Sequence, residues 1–246
     1  MIVVKRGKEP GSLLEFRKQN PDADYETDMP TDVLKDIRVQ MWEEQRRLCA
    51  YCMKRIDSPG AVRIEHCKPR HPKDEEKHDK KATLDFKWML GVCYGNSLKK
   101  GIKPEDMTCD AHKGNTELTI NPFDEMSVRK VKYKEDGSIY SDDDEINKDL
   151  TETLNLNCQA VSLPQTRRSV LMAEKARIMK KCKGKSQDAF IRELKRTYTS
   201  LVQERNLTPY CGIIISWLES KLKISYIVQT VCTFEGRSSE MEEKGR

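Results

Sequence analysis

The stretch "LCAYCMKRIDSPGAVRIEHCKPRHPKDE", Leu48 to Glu75, decides how this chain is read. It sets a Cys-x-x-Cys pair, Cys49 and Cys52, a short distance ahead of the adjacent Glu65 and His66. Two thiols at that spacing form a knuckle that offers two corners of a tetrahedral zinc site, so two more ligands must come from elsewhere. Cys93 and Cys109 flank a later polar insert and would return to the knuckle together. Cys49, Cys52, Cys93 and Cys109 are therefore the expected set. Cys67, His66, His71 and His78 are further candidates, and the chief rival set uses Cys109 with His112, which spacing does not exclude. Cys158, Cys182, Cys211 and Cys232 read as buried free thiols.

Glu65 and His66 follow a Ser-Pro-Gly turn on a short apolar segment, Ala61 to Ile64, so a hairpin carrying the pair is expected. Side chains of adjacent strand residues start on opposite faces, and joint work by Glu65 and His66 requires a bend or a strand end there. A carboxylate that holds a divalent cation beside an imidazole that takes a proton from water makes a metal-assisted hydrolase. Asp110, next to Cys109, is the expected third oxygen ligand. Magnesium, or manganese in its place, suits a site with few protein ligands that shares its coordination with phosphate and water.

The chain has 246 residues, of which 37% are hydrophobic and 35% charged, the latter above the usual quarter. Its 45 Lys and Arg against 40 Asp and Glu leave a formal charge of only +5, so an anionic partner has to be argued from local patches. No apolar run approaches the roughly 20 residues that cross a bilayer. The start, "MIVVKRGKEPG", has its charges after its apolar residues, the reverse of a secretory signal, and reads as a first strand. Nine cysteines with a Cys-x-x-Cys pair favour metal ligation in a reducing compartment over a disulfide framework. A cytoplasmic protein without membrane association is expected.

Thr31 to Leu48 has helical periodicity in Leu34, Ile37, Met41 and Leu48, with Thr31 as N-cap. The charged segment "PRHPKDEEKHDKKA" reads as a solvated loop whose basic members are available to phosphate. Alternation on either side of Asp136-Gly137 predicts a second hairpin, and the acidic run Asp142 to Glu145 marks a boundary. Helical periodicity returns from Pro164 to Leu222, with an apolar face of Leu171, Ile178, Phe190, Ile191, Leu194, Leu201, Ile213 and Trp217. An α+β chain follows, divided into a zinc-binding part at 1–125, a hairpin and connecting segment at 126–163, and a helical region at 164–246.

"CAYC", "IEHCKPR", "MLGVCYGN" and "CDAHKGNTELTINP", in this order, resemble the HNH endonucleases, and specifically the retron-associated and Septu branch of bacterial anti-phage defence, the PtuB-like proteins. The resemblance implies a zinc-stapled ββα-metal nuclease core that hydrolyses DNA. His66 then stands as general base, Glu65 as acidic metal ligand and Asp110 at the last ligand position. Arg63, Lys68, Arg70 and Lys113 become the expected nucleic-acid contacts, with Asn115 beside Lys113 bracing the loop or meeting phosphate. The implied partners are DNA, an ABC/SMC-like ATPase (PtuA-like) of the same defence system, and in some systems a retron. The helical region is expected to dock the ATPase. One position departs from the family: Trp88 stands where the middle Asn of the signature belongs, in relatives that read like "NML". That Asn ties the loop between strands and helix through its amide, and Asn96 is the candidate to replace it. The reading from another class is a non-catalytic zinc-ribbon adaptor or DNA-binding subunit of the same kind of complex.

Overall fold

A computed structural model describes residues 1–72 and 79–222, so His78 and Cys232 lie outside the described residues. The fold is mixed α and β, with two small antiparallel sheets set among helices. Residues 1–10 form no strand; Val4 N–H donates to the Pro122 carbonyl at 2.9 Å while the Met1 and Val4 side chains are buried. A segment held by side-chain burial has no need of a ladder partner.

Helix α1 spans Gly11–Gln19 and α2 spans Thr31–Glu44. Val33, Ile37 and Met41 recur every four residues along α2, and this stripe is its buried face. Thr31 is the first helical residue rather than the cap, a position held by Pro30. The helix stops before Leu48 because Arg46 and Arg47 take left-handed backbone angles, φ 53° and 67°. Leu48 instead forms a β-bridge with Arg55 that closes the loop of the first two cysteines.

The hairpin expected around Ser58-Pro59-Gly60 is not formed. Pro59–Ala61 makes a single 3-10 turn, and the residues before it spend their backbone groups on the cysteine loop, as in Cys49 N–H to Lys54 O at 2.9 Å. Strand β1, Arg63–His66, pairs antiparallel with β2, Met89–Val92, in the register Arg63 to Val92 and His66 to Met89. Between them lies the one-turn helix α3, Lys80–Thr83, capped by the Asp79 side chain, which accepts from Ala82 N–H. After β2 come the one-turn helix α4, Asp110–Lys113, and α5, Glu125–Arg129.

The second hairpin forms as Asp136-Gly137 predicts, from β3, Lys132–Tyr133, and β4, Ile139–Tyr140. Gly137 is required there: its φ is 90°, and a Cβ would stand 1.9 Å from the Pro164 carbonyl oxygen. The acidic run serves local structure. Asp143 caps α6, Asp144–Lys148, and Asp142 and Asp143 pair with Lys132 and Lys130. Beyond α6 the chain makes a π turn over Asp149–Thr153. Ile139, Ile146, Leu150 and Leu154 then pack into the same core as Ile37, Met41, Tyr51 and Leu90.

The last three helices, α7 Leu163–Cys182, α8 Gln187–Gln203 and α9 Cys211–Leu222, enclose a second core. Leu171, Ile178, Leu194, Leu201 and Ile213 are buried in it and Phe190 and Trp217 flank it, while Ile191 is 37% exposed and turns outward. Leu48 and Met53 of the cysteine loop belong to this same cluster. Among the described residues no helix is long and apolar enough to cross a membrane.

Gln45, buried just past α2, joins these parts. Its Oε1 accepts from Gly91 N–H at 2.7 Å, and its Nε2 donates to Gly91 O at 2.6 Å and to Leu48 O at 3.1 Å. Gln45→Leu would leave buried backbone groups of β2 without these partners, at a cost of about 2–4 kcal/mol. For a chain of this size the melting temperature should fall by roughly 5–15 °C. A variant that melts within 2 °C of wild type would dismiss the clamp.

Candidate metal centre and active site

The four cysteines expected from spacing come together. Sγ of Cys49 is 3.9 Å from Cys109, Cys52 is 3.7 Å from Cys93, and Cys93 is 3.8 Å from Cys109. A tetrahedron built on Zn–S bonds of about 2.3 Å has edges of about 3.8 Å, so the sulfurs already outline that polyhedron. Among the described residues this is the group of three or more potential ligands whose atoms all lie within 4.8 Å of one another. Hydrogen bonds from Cys109, then Cys49 and Cys52, hold the Cys93 thiol well below its usual range, while the Cys52 and Cys109 thiols are pushed up.

The backbone on each side of this centre is shaped for it. Met53 turns left-handed, φ 64°, which lets Lys54 N–H point at Cys52 Sγ from 3.5 Å. Gly95, φ 54°, brings its carbonyl to Thr108 N–H at 3.0 Å and closes the insert between Cys93 and Cys109; a Cβ there would lie 1.9 Å from Thr108 O. Asn96 Nδ2 reaches Thr108 Oγ1 at 3.4 Å, so Asn96 braces this insert, which is the loop between strand β2 and helix α4. His112 stays out of the tetrad because its Nδ1 faces the Thr153 carbonyl at 3.0 Å. Cys67, Cys158, Cys182 and Cys211 are free thiols.

Beside the tetrad is a cleft of about 290 Å³ bordered by Arg63, Glu65, His66, Arg70, Asp110 and Lys113. Glu65 and His66 end β1, where both can reach one cavity, and Asp110 opens α4 directly after Cys109. Burial and then contact with the Asp110 carboxylate push the Glu65 carboxyl up to about 8, although Lys113 Nζ stands 2.7 Å from its Oε1. Two buried carboxyl groups in contact share either a proton or a cation. Tyr51 O–H donates to the same Glu65 oxygen at 3.1 Å, and Arg63 pairs with Asp110.

Burial first, and then the charge of Arg70, hold His66 down at about 4, so its ring is neutral at pH 7. Its Nε2 lies 2.9 Å from the Thr83 carbonyl and its ring meets Tyr25 edge-on, with centroids 4.5 Å apart. Arg70 pairs with Glu26 at the rim of the cleft, and Asn115 borders it. Lys68 does not line the cleft: its ammonium sits 4.5 Å above the Trp88 ring, which Lys87 also covers from 5.4 Å. Trp88 is half-buried outside the cleft, and its carbonyl accepts from Cys67 N–H at 2.8 Å. Tyr25, Tyr51 and Thr83 belong to the site although no spacing marks them. The nearest signal is the aromatic residue inside "CAYC". A larger cavity, about 540 Å³, lies between the two cores and includes none of Glu65, His66 or Asp110.

No protein-family model and no curated protein matches this chain. The chemistry of the site therefore rests on its own geometry.

Purified protein should carry about one tightly bound zinc, and Cys49→Ser or Cys109→Ser should lower both metal content and melting temperature, because ligation free energy is folding free energy in such sites. Metal analysis that finds no zinc in reduced, folded protein would remove the centre.

Proposed function

We propose that this chain is a metal-dependent HNH-type endonuclease that hydrolyses DNA phosphodiester bonds, with zinc on Cys49, Cys52, Cys93 and Cys109 and magnesium or manganese held by Glu65 and Asp110. The observation that carries the proposal is the state of His66. A carbonyl can only accept, so the 2.9 Å contact with Thr83 O assigns the ring proton to Nε2. A neutral ring with Nε2 protonated keeps its lone pair on Nδ1, which is what a general base toward water requires.

The surrounding groups fit the rest of the reaction. Arg63, Arg70 and Lys113 border the cleft and are groups that pair with a phosphodiester. A divalent cation bound by Glu65 and Asp110 supplies charge stabilisation at the phosphate and its leaving oxygen. An antiparallel pair, β1 and β2, followed by the one-turn helix α4 is consistent with the strand and helix order of a ββα-metal core. The segment between β1 and β2 that carries Trp88 is held by Trp88 O receiving Cys67 N–H and Thr83 O receiving the imidazole, while Asn96 reaches Thr108 across the loop between strands and helix.

Plasmid nicking in magnesium or manganese tests this reading. His66→Ala should reduce it by about 10²-fold or more while zinc content and melting temperature stay unchanged. A wild type that leaves DNA intact in both metals, or a His66→Ala that cuts as well as wild type, would sink it.

The resemblance also points to work within an anti-phage defence complex, with α7 and α8 facing an ABC/SMC-like ATPase. Ile191, Arg192 and Lys195 form an exposed, basic and partly apolar flank of α8 suited to such a contact. Deleting these helices is no clean test, because Leu48 and Met53 of the cysteine loop share their core. Arg192→Glu with Lys195→Glu in the full chain should abolish co-purification with a co-expressed ATPase of such a system. Co-purification at wild-type stoichiometry places the contact elsewhere.

A further inference from the structure

Both carboxylates of the cleft are paired with cations of the chain itself. Lys113 lies against Glu65 with 1% of the lysine side chain and 5% of the glutamate side chain exposed. Arg63 pairs through Nε with Asp110, and here the arginine side chain is 44% exposed and the aspartate 9%. Because Glu65 and Asp110 also meet each other, the four groups form one row, with two carboxyls in contact at its centre and a cation at each end. A divalent cation ligated by these carboxyl oxygens would stand next to an ammonium and a guanidinium that repel it.

Lys113 cannot leave its carboxylate without a replacement, whereas the half-exposed Arg63 can turn away more freely. The Lys113 ammonium is buried, and a buried charge stripped of its partner is costly, so it exchanges one anion for another rather than for water. Arginine and lysine both pair readily with phosphate, arginine through two parallel N–H groups. Both side chains border the cleft, so a phosphate that enters it comes within reach of both.

Resting on the phosphodiesterase reading above, we propose that Arg63 and Lys113 are exchange partners: they hold Asp110 and Glu65 in the DNA-free protein and turn to the phosphate when DNA enters, which releases the carboxylates to the divalent cation. These two residues then position the metal ligands as well as the substrate. The divalent cation and DNA bind with positive coupling, and each tightens the other by the same factor. The sign is diagnostic, since added divalent cations ordinarily weaken protein–DNA association by competing for the phosphates.

Binding measurements on full-length, zinc-loaded His66→Ala protein test this with Mn²⁺ and a fluorescent DNA duplex. At constant ionic strength, Mn²⁺ should tighten duplex binding by about tenfold or more in anisotropy titrations. In the DNA-free protein, free Mn²⁺ counted by electron paramagnetic resonance should reveal weak binding. Adding Lys113→Met should tighten it by about tenfold and shrink the coupling. Arg63→Gln, at the more exposed pair, should act in the same direction and serves if Lys113→Met does not fold. Mn²⁺ that weakens duplex binding or leaves it unchanged, or Mn²⁺ affinity that neither variant raises, overturns the exchange. Coupling without plasmid cleavage by wild type would remove the nuclease reading and keep the exchange, whereas cleavage without coupling would do the reverse.

Discussion

The four-cysteine tetrad is the constraint on which the rest of the site depends. Cys49 and Cys52 follow α2, Cys93 comes directly after β2, and Cys109 comes directly before α4. Three separated stretches of chain are thereby fixed at one point. Strand β2 carries β1 with Glu65 through its backbone ladder, and Cys109 carries Asp110 as its neighbour in sequence. The contact between Glu65 and Asp110 is one that two carboxyl groups would not seek unaided. The sulfur polyhedron and the strand register bring the two residues that carry them to the same cleft.

Burial then acts on the neighbouring titratable groups in opposite directions with one physical cause. Removing charge from water favours the neutral form of every group, so Glu65 is pushed up to about 8 and His66 is held down at about 4. The histidine is thereby kept neutral, with one ring nitrogen free of a proton. The glutamate is kept from full ionisation until a cation of sufficient charge compensates it, and the 2.7 Å ammonium of Lys113 does so only in part. The same low-dielectric wall that disfavours free charge makes any cation placed there interact strongly, which is the condition under which exchanging one cation for another changes binding of both.

Much of the metal centre was legible in the sequence because ligand chemistry leaves a spacing signature. Cys49 and Cys52 have two residues between them, and Cys93 and Cys109 bound one insert. What pairs with β1 was not legible. The Ser-Pro-Gly signal was real, but it built a 3-10 turn, since the residues before it were already committed to the cysteine loop. Strand pairing across the intervening segment depends on tertiary placement that no local turn encodes. The burial of Lys113 was equally hidden: one lysine in a basic chain looks like any other until a buried glutamate is seen opposite it. Ile191 failed for a related reason, because helical periodicity gives a stripe but not its width, and Ile191 falls at the stripe's exposed margin.

The three C-terminal helices bear on the site through the cysteine loop. Arg46 Nη1 donates to Val202 O at 2.7 Å, Arg55 donates to Leu207 O, and Tyr210 N–H donates to Met53 O at 2.9 Å. Leu48 and Met53 complete the apolar side of this contact. The chain around Cys49 and Cys52 is thus shaped from two sides, by its place in the cysteine tetrad and by the end of α8 with the start of α9. The left-handed turns at Arg46 and Arg47 make this possible by directing the chain out of α2 toward those helices. A long helical region attached to a compact metal site is therefore part of what builds the site. Any ligand seated on α8 would bear on the element that supplies two of the tetrad's four sulfurs.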